Sequence, residues 1–190
     1  MKTILKEEKE EIIIQNSRFI AIMIPLQNND ITPFLQKIKE EYPKATHYCY
    51  AYRYLDDYKC SDDHEPSNTA GLPMLNVLEK EDLNNVLVVV VRYFGGIKLG
   101  AGGLVRAYTK AVTEVLKKIT PVLLEEGYTV EISFPYSETK NIDYLLKEQK
   151  IIQKEFLEDV IYTIQIPISF LESLEKYSPR IIEKSFYPKR

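Results

Sequence analysis

Hydrophobic and polar positions alternate along this chain in a way that predicts a run of strands and helices. Residues 11–26 are strand-like, with apolar stretches at 12–14 and 19–26 around a polar break at 15–18. Asp30 or Thr32 is placed to cap a helix and Pro33 to fill its first turn, after which Phe34, Leu35, Ile38 and Tyr42 mark a helical stripe that Pro43 ends. Residues 46–54 alternate strictly. Tyr48, Tyr50, Tyr52 and Tyr54 share one strand face, and His47, Cys49, Ala51 and Arg53 share the other. A polar loop over about 55–70 and a short helix over 72–83 follow. Residues 86–94 are apolar apart from Arg92, the pattern of a central strand covered on both faces. Residues 104–119 predict the clearest helix, with Leu104, Val105, Tyr108, Ala111, Val112, Val115, Leu116 and Ile119 on one stripe and Arg106, Lys110, Thr113 and Lys117 opposite.

Thr120-Pro121 predicts a boundary. Beyond Gly127 the pattern restarts: a strand over 128–135, a helix from Ser137 through about Gln149, strands over 151–157 and 160–168, a short helix over 171–177 and a last strand over 181–186. The order β-α-β-β-α-β is that of a ferredoxin-like domain. The expected architecture is therefore α+β in two domains, 1–121 and 128–190.

Composition narrows the function classes. The longest aliphatic run, 86–91, is far short of the roughly 20 apolar residues needed to cross a bilayer, so no membrane association is expected. Two cysteines, Cys49 and Cys60, make neither a disulfide framework nor a zinc spacing, and a cytoplasmic protein is expected. A net charge of −3 argues against coating nucleic acid by bulk charge. The charge is uneven, however. Residues 56–65 hold Asp56, Asp57, Asp62, Asp63 and Glu65 against Lys59, a balance of −4; residues 92–118 hold Arg92, Lys98, Arg106, Lys110, Lys117 and Lys118 against Glu114, a balance of +5.

Five of the seven glycines (Gly95, Gly96, Gly100, Gly102 and Gly103) fall between the best strand and the best helix. Such a loop either allows tight strand–helix packing or opens amide groups to an anion at the positive end of the helix. Lys98 inside it, with Arg92 before and Arg106 and Lys110 after, favours an anionic guest. No nucleotide fingerprint is complete, since the third glycine of the dinucleotide pattern is replaced by Val105. The segment SDDHEPSNTAGLPML (61–75) offers Asp62, Glu65, Ser67 and Thr69 as a second wall. The same residue types cap turns and helix starts. Glu65 lacks a partner nucleophile, so no catalytic residue is assigned, and no metal site or cofactor is expected. Arg53, Tyr54, Arg92 and Tyr93 are candidates for stacking on single-stranded bases.

Three segments in this order, ATHYCYAYRY (45–54), SDDHEPSNTAGLPML (61–75) and VVVVRYFGGIKLGAGGLVRAY (88–108), with NSRFIA (16–21) ahead of them, resemble the YigZ/IMPACT family. That family carries glycine where this chain has His64 and Asn68, which are read as turn substitutions. The resemblance implies an N-terminal domain like the fourth domain of elongation factor G, shared with a small-subunit ribosomal protein, and a C-terminal domain like that factor's last one. It also implies a role in translation. Eukaryotic relatives interfere with activation of a stress kinase through an extra N-terminal domain, which this sequence does not contain, so their kinase-activator partner is not expected. The leading expectation is RNA or the ribosome as partner, bound through the basic glycine-rich loop. The alternative is a small-ligand receptor or enzyme with 95–103 as its anion site and 61–70 opposite.

Overall fold

The computed structural model describes residues 1–189. The chain divides into two compact units, Met1–Val122 and Leu123–Arg190. In the first, β1 (Lys2–Thr3) bridges to Leu83. Then come β2 (Glu8–Ile14), β3 (Ser17–Pro25), α1 (Thr32–Glu41), β4 (His47–Tyr54), β5 (Asp57–Ser61), α2 (Gly71–Lys80), β6 (Val86–Tyr93) and α3 (Gly100–Leu116). The strands form an antiparallel sheet in the order β2-β3-β6-β4-β5.

The apolar run at 86–91 becomes the middle strand because both of its faces need cover. Val86, Val88 and Val90 enter a core with Met74 and Leu78 of α2 and Leu104, Tyr108 and Val112 of α3. Leu87, Val89 and Val91 enter a second core with Ile38 of α1. β4 divides as its alternation predicts: Cys49 and Ala51 lie in the first core, while Tyr52 lies in the second with Tyr48, Tyr50 and Tyr54 packed against it. The polar break at 15–18 is a two-residue hairpin. Gln15 and Asn16 take φ of 44° and 63°, and Ile14 pairs with Ser17.

Three expectations need correction. The loop expected over 55–70 contains β5, because a second two-residue hairpin at 55–56 pairs Tyr54 with Asp57. Leu55 there has φ of 53°, and its N–H donates to Asn84 Oδ1 at 2.7 Å. β5 is an edge strand whose first three residues are exposed, so its sequence carries little apolar signal. The helix expected to reach Leu83 ends at Lys80, with Asp82 turning the chain at φ 56°. α3 begins at Gly100 and not at Leu104, so three of the five loop glycines lie in its first turn.

The second unit comprises β7 (Val122–Phe134), a 3-10 turn (Tyr136–Glu138), α4 (Thr139–Leu145), β8 (Lys150–Phe156), β9 (Val160–Pro167), a 3-10 helix (Ile168–Tyr177) and β10 (Arg180–Pro188). Its antiparallel sheet runs β10-β7-β9-β8, the split arrangement of the ferredoxin-like fold. One face is apolar: Val130, Ile132 and Phe134 join Val160, Tyr162, Ile164, Ile142 and Leu174. The helix expected through Gln149 stops at Leu145 and the one expected over 171–177 is 3-10.

Gly95 and Gly96 adjoin in sequence but are glycine for different reasons. A Cβ at Gly95 would lie 2.1–2.4 Å from main-chain atoms of Asn16 and Ser17 in the β2–β3 turn. At Gly96 it would meet open space, but φ is +87°. Urea denaturation is expected to show Gly95→Ala losing about 3 kcal/mol or more, since backbone cannot step aside. Gly96→Ala should lose only about 1–2 kcal/mol, the ordinary cost of a left-handed L-residue.

Candidate functional site

The glycine-rich loop is fixed at its start and open beyond it. Where β6 ends, the Phe94 N–H donates to Thr46 Oγ1 (3.0 Å) and the Gly95 N–H to Ser17 Oγ (3.1 Å). Gly96 and Gly100 then turn the chain at φ of 87° and 68°, into α3. That helix has Leu99 at its N-cap, no side-chain cap and no acid in its first turn. Its leading amides have no intrahelical acceptor, and Gly100, Ala101 and Gly102 are exposed. Positive potential at this end adds to that of Lys98, Arg106 and Lys110, all exposed and without an ion pair among the described residues. Lys117, by contrast, pairs with Glu114 at 2.8 Å, and Lys118 with Glu10.

Arg92, expected beside the loop as a surface cation, is instead buried. Its Nη1 donates to Glu65 Oε1 at 2.5 Å and its Nη2 reaches Ser17 Oγ at 3.4 Å. The guanidinium lies near two rings, 5.3 Å from the Phe19 centroid and 5.5 Å from that of Phe94. Glu65 Oε1 also accepts the Tyr108 hydroxyl at 2.8 Å, and His47 Nε2 stands 3.7 Å away. The His47 ring contacts the Asp63 carbonyl oxygen at 2.7 Å through Nδ1, so Nδ1 carries the hydrogen. Cys49 Sγ is 3.3 Å from the Tyr108 oxygen and 3.0 Å from the Asp62 carbonyl. Burial pushes the Tyr108 phenol far above its usual range and the Cys49 thiol up to about 12. At neutral pH both keep their protons, so neither is a nucleophile.

The second wall is spent largely on its own backbone. Asp62 accepts Ala70 and Gly71 N–H groups on Oδ1 (2.9 and 2.8 Å) and the Asn68 N–H on Oδ2 (2.8 Å). It thereby shapes the loop and caps α2 from a distance. The Thr69 hydroxyl donates to the Pro66 carbonyl at 2.6 Å, and Ser67 is exposed. His64 and Asn68 take φ of 69° and 61°, as turn substitutions for glycine should.

Of the four residues expected to stack on bases, Arg92 is buried and the other three are half-buried, their polar ends bonded to backbone carbonyls. Arg53 Nη1 donates to the Leu83 carbonyl (3.0 Å) and the Tyr54 hydroxyl to that of Gln27 (2.9 Å). The Tyr93 hydroxyl donates to the Pro43 carbonyl (3.2 Å), and the Arg18 guanidinium covers its ring at 5.2 Å. Phe94, which the sequence reading passed over as the tail of an apolar strand, is 46% exposed, as is Ile97. The available signal was its position: an aromatic immediately before Gly95-Gly96 lies past the end of the sheet.

Two outcomes follow. Glu65→Ala should lower stability by about 3–5 kcal/mol in denaturant titrations, because it strands the Arg92 charge. Adding Arg92→Met to that variant should recover part of the loss. In native protein at pH 8, a thiol reagent should label half-buried Cys60 and leave Cys49 untouched until denaturant is added. The thiol's raised value means the folded state holds that proton more tightly than the unfolded chain. Cys49 thus contributes stability below pH 9 that is lost as pH rises from its ordinary 9.0 toward 12.

Comparison with known proteins agrees with this architecture. The Impact N-terminal domain model matches residues 15–116, which contain the loop, the buried pair and both helices packed on them. The IMPACT family member YvyE of Bacillus subtilis is 42% identical over 157 residues, covering 80% of this chain and 72% of that protein. An IMPACT family member of Haemophilus influenzae is 34% identical over 180 residues, 90% of this chain and 86% of its own. A crystal structure of a hypothetical protein superposes with a TM-score of 0.67 at 29% identity over 95% of each chain. With the domain model spanning more than half of its length, and relatives this similar along most of theirs, the chain belongs to the IMPACT family.

Proposed function

We propose that this protein acts in translation by holding RNA, free or within the ribosome, against the glycine-rich entrance to α3. The observation that carries the reading is a concentration of positive charge outside any salt bridge among the described residues, on a chain of net charge −3. Lys98, Arg106 and Lys110 are exposed beside an uncapped helix N-terminus with no acid in its first turn. Arg106 and Lys110 are one turn apart and share a face of α3. Phosphates would bind to exposed amides and mobile cations, a combination that positions a backbone without reading sequence. A role in translation is what the family resemblance implies, and the cytoplasm is where such a partner is met. The reading as a small-ligand receptor or enzyme has less to draw on. Asp62, Glu65 and Thr69, which would face the ligand, are engaged in internal hydrogen bonds.

Fluorescence anisotropy with a labelled RNA should show binding that weakens steeply with salt. The triple variant K98A/R106A/K110A should bind more weakly and reduce the slope of log K against log salt by about 2, at roughly 0.7 per lost phosphate contact. Its melting temperature should stay close to that of the parent. Absence of saturable RNA or ribosome binding at low salt would overturn the reading. Arg92→Ala is not an equivalent probe, because a buried, paired guanidinium reports on folding.

A further inference from the structure

We infer that Phe94 is a stacking platform that makes the loop select unpaired RNA over duplex; this rests on the RNA reading above. Two rings meet the Arg92 guanidinium at the end of β6. Phe19 lies in the core, its ring centroid 5.3 Å from the guanidinium. The Phe94 centroid is 5.5 Å from the same guanidinium. The Phe94 ring thus packs on a buried cation and still reaches solvent, 46% exposed.

That ring is held in place without being used up. Its own N–H is tied to Thr46 Oγ1 at 3.0 Å and the next residue's to Ser17 Oγ at 3.1 Å, which fixes the backbone on both sides. Arg92 is itself fixed by Glu65. A ring ordered in advance loses little freedom when a partner stacks on it. Gly96 has no side chain to crowd the space beyond, and a Cβ there would touch nothing within 4 Å. The next residue, Ile97, is as exposed as Phe94 and can widen the apolar surface. Lys98 follows it with no ion pair among the described residues. An exposed apolar ring four residues ahead of an unpaired lysine suits a base attached to a phosphodiester. The faces of paired bases are occupied by their neighbours in a helix, so only an unpaired or splayed base can cover this ring. Tyr54 and Tyr93, the tyrosines the sequence offers for stacking, are half-buried with their hydroxyls bonded to the Gln27 and Pro43 carbonyls, so both are less exposed than Phe94.

The test compares a short single-stranded RNA with a duplex of the same sequence, both by anisotropy on the full chain. The parent should favour the single strand. Phe94→Ala should weaken single-strand binding about tenfold, as loss of one stacked base does, and leave duplex binding nearly unchanged. Phe94→Leu keeps an apolar side chain over Arg92 but has no ring, and should show the same loss if stacking is the cause. Phe94→Tyr should restore affinity. Because the chain has no tryptophan, Phe94→Trp supplies a single reporter, whose emission should be quenched by the single strand at the midpoint seen by anisotropy. If F94A and F94L bind the single strand as the parent does while K98A/R106A/K110A still weakens it, the platform is wrong and the basic interface stands. If neither RNA binds the parent at low salt, both readings fall together.

Discussion

The buried ion pair between Glu65 and Arg92 is the constraint around which the N-terminal unit is arranged. Removing two charges from water costs several kcal/mol each, and mutual attraction offsets this only with good geometry and further hydrogen bonds. Here one carboxylate oxygen takes both the Arg92 guanidinium and the Tyr108 hydroxyl, while the Phe19 and Phe94 rings lie 5.3 and 5.5 Å from the guanidinium. The three partners come from three places: the loop ahead of α2, the end of β6 and the third turn of α3. The loop cannot leave, the strand cannot slip and the helix cannot rotate without stranding a charge in an apolar core.

The same short segment faces two ways. On α3, Tyr108 points to the core, whereas Arg106 and Lys110, each two positions away, point to water. On β6, Arg92 continues the inward row of Val88 and Val90, and the chain leaves the sheet two residues later. The glycines mediate the change. Gly95 lets the strand end press against the β2–β3 turn, and Gly96 and Gly100 supply the left-handed turns that bring α3 back over the sheet. An exposed, positively charged surface thus rests on a buried ion pair. The positive charge at the surface is therefore that of Lys98, Arg106 and Lys110, with Arg92 withdrawn from it.

The acidic stretch at 56–65 does not cancel the basic one, although the two lie close in the fold. Glu65 neutralises Arg92, but Asp62 spends its oxygens on main-chain amides and Asp57 accepts from Asn29 and Tyr52. Among the described residues none of these aspartates forms a salt bridge with Lys98, Arg106 or Lys110, because their oxygens are oriented by the turn and the hairpin.

Periodicity alone was enough for the central strand, the two faces of the tyrosine strand, the amphipathic stripe of α3 and the βαββαβ order, because burial on one or both faces leaves its period in the residues. The family resemblance, not periodicity, marked His64 and Asn68 as turn positions, where they stand in place of glycine and take a positive φ. What periodicity could not supply was the pairing of residues distant in the chain. That Glu65 meets Arg92 and Tyr108, that β5 exists at an exposed edge, and that Phe94 rather than Tyr54 or Tyr93 is open to solvent were decided by tertiary packing. A charge or ring carries no mark of its partner, and whether it faces a carboxylate, a backbone carbonyl or water depends on which elements fold against it.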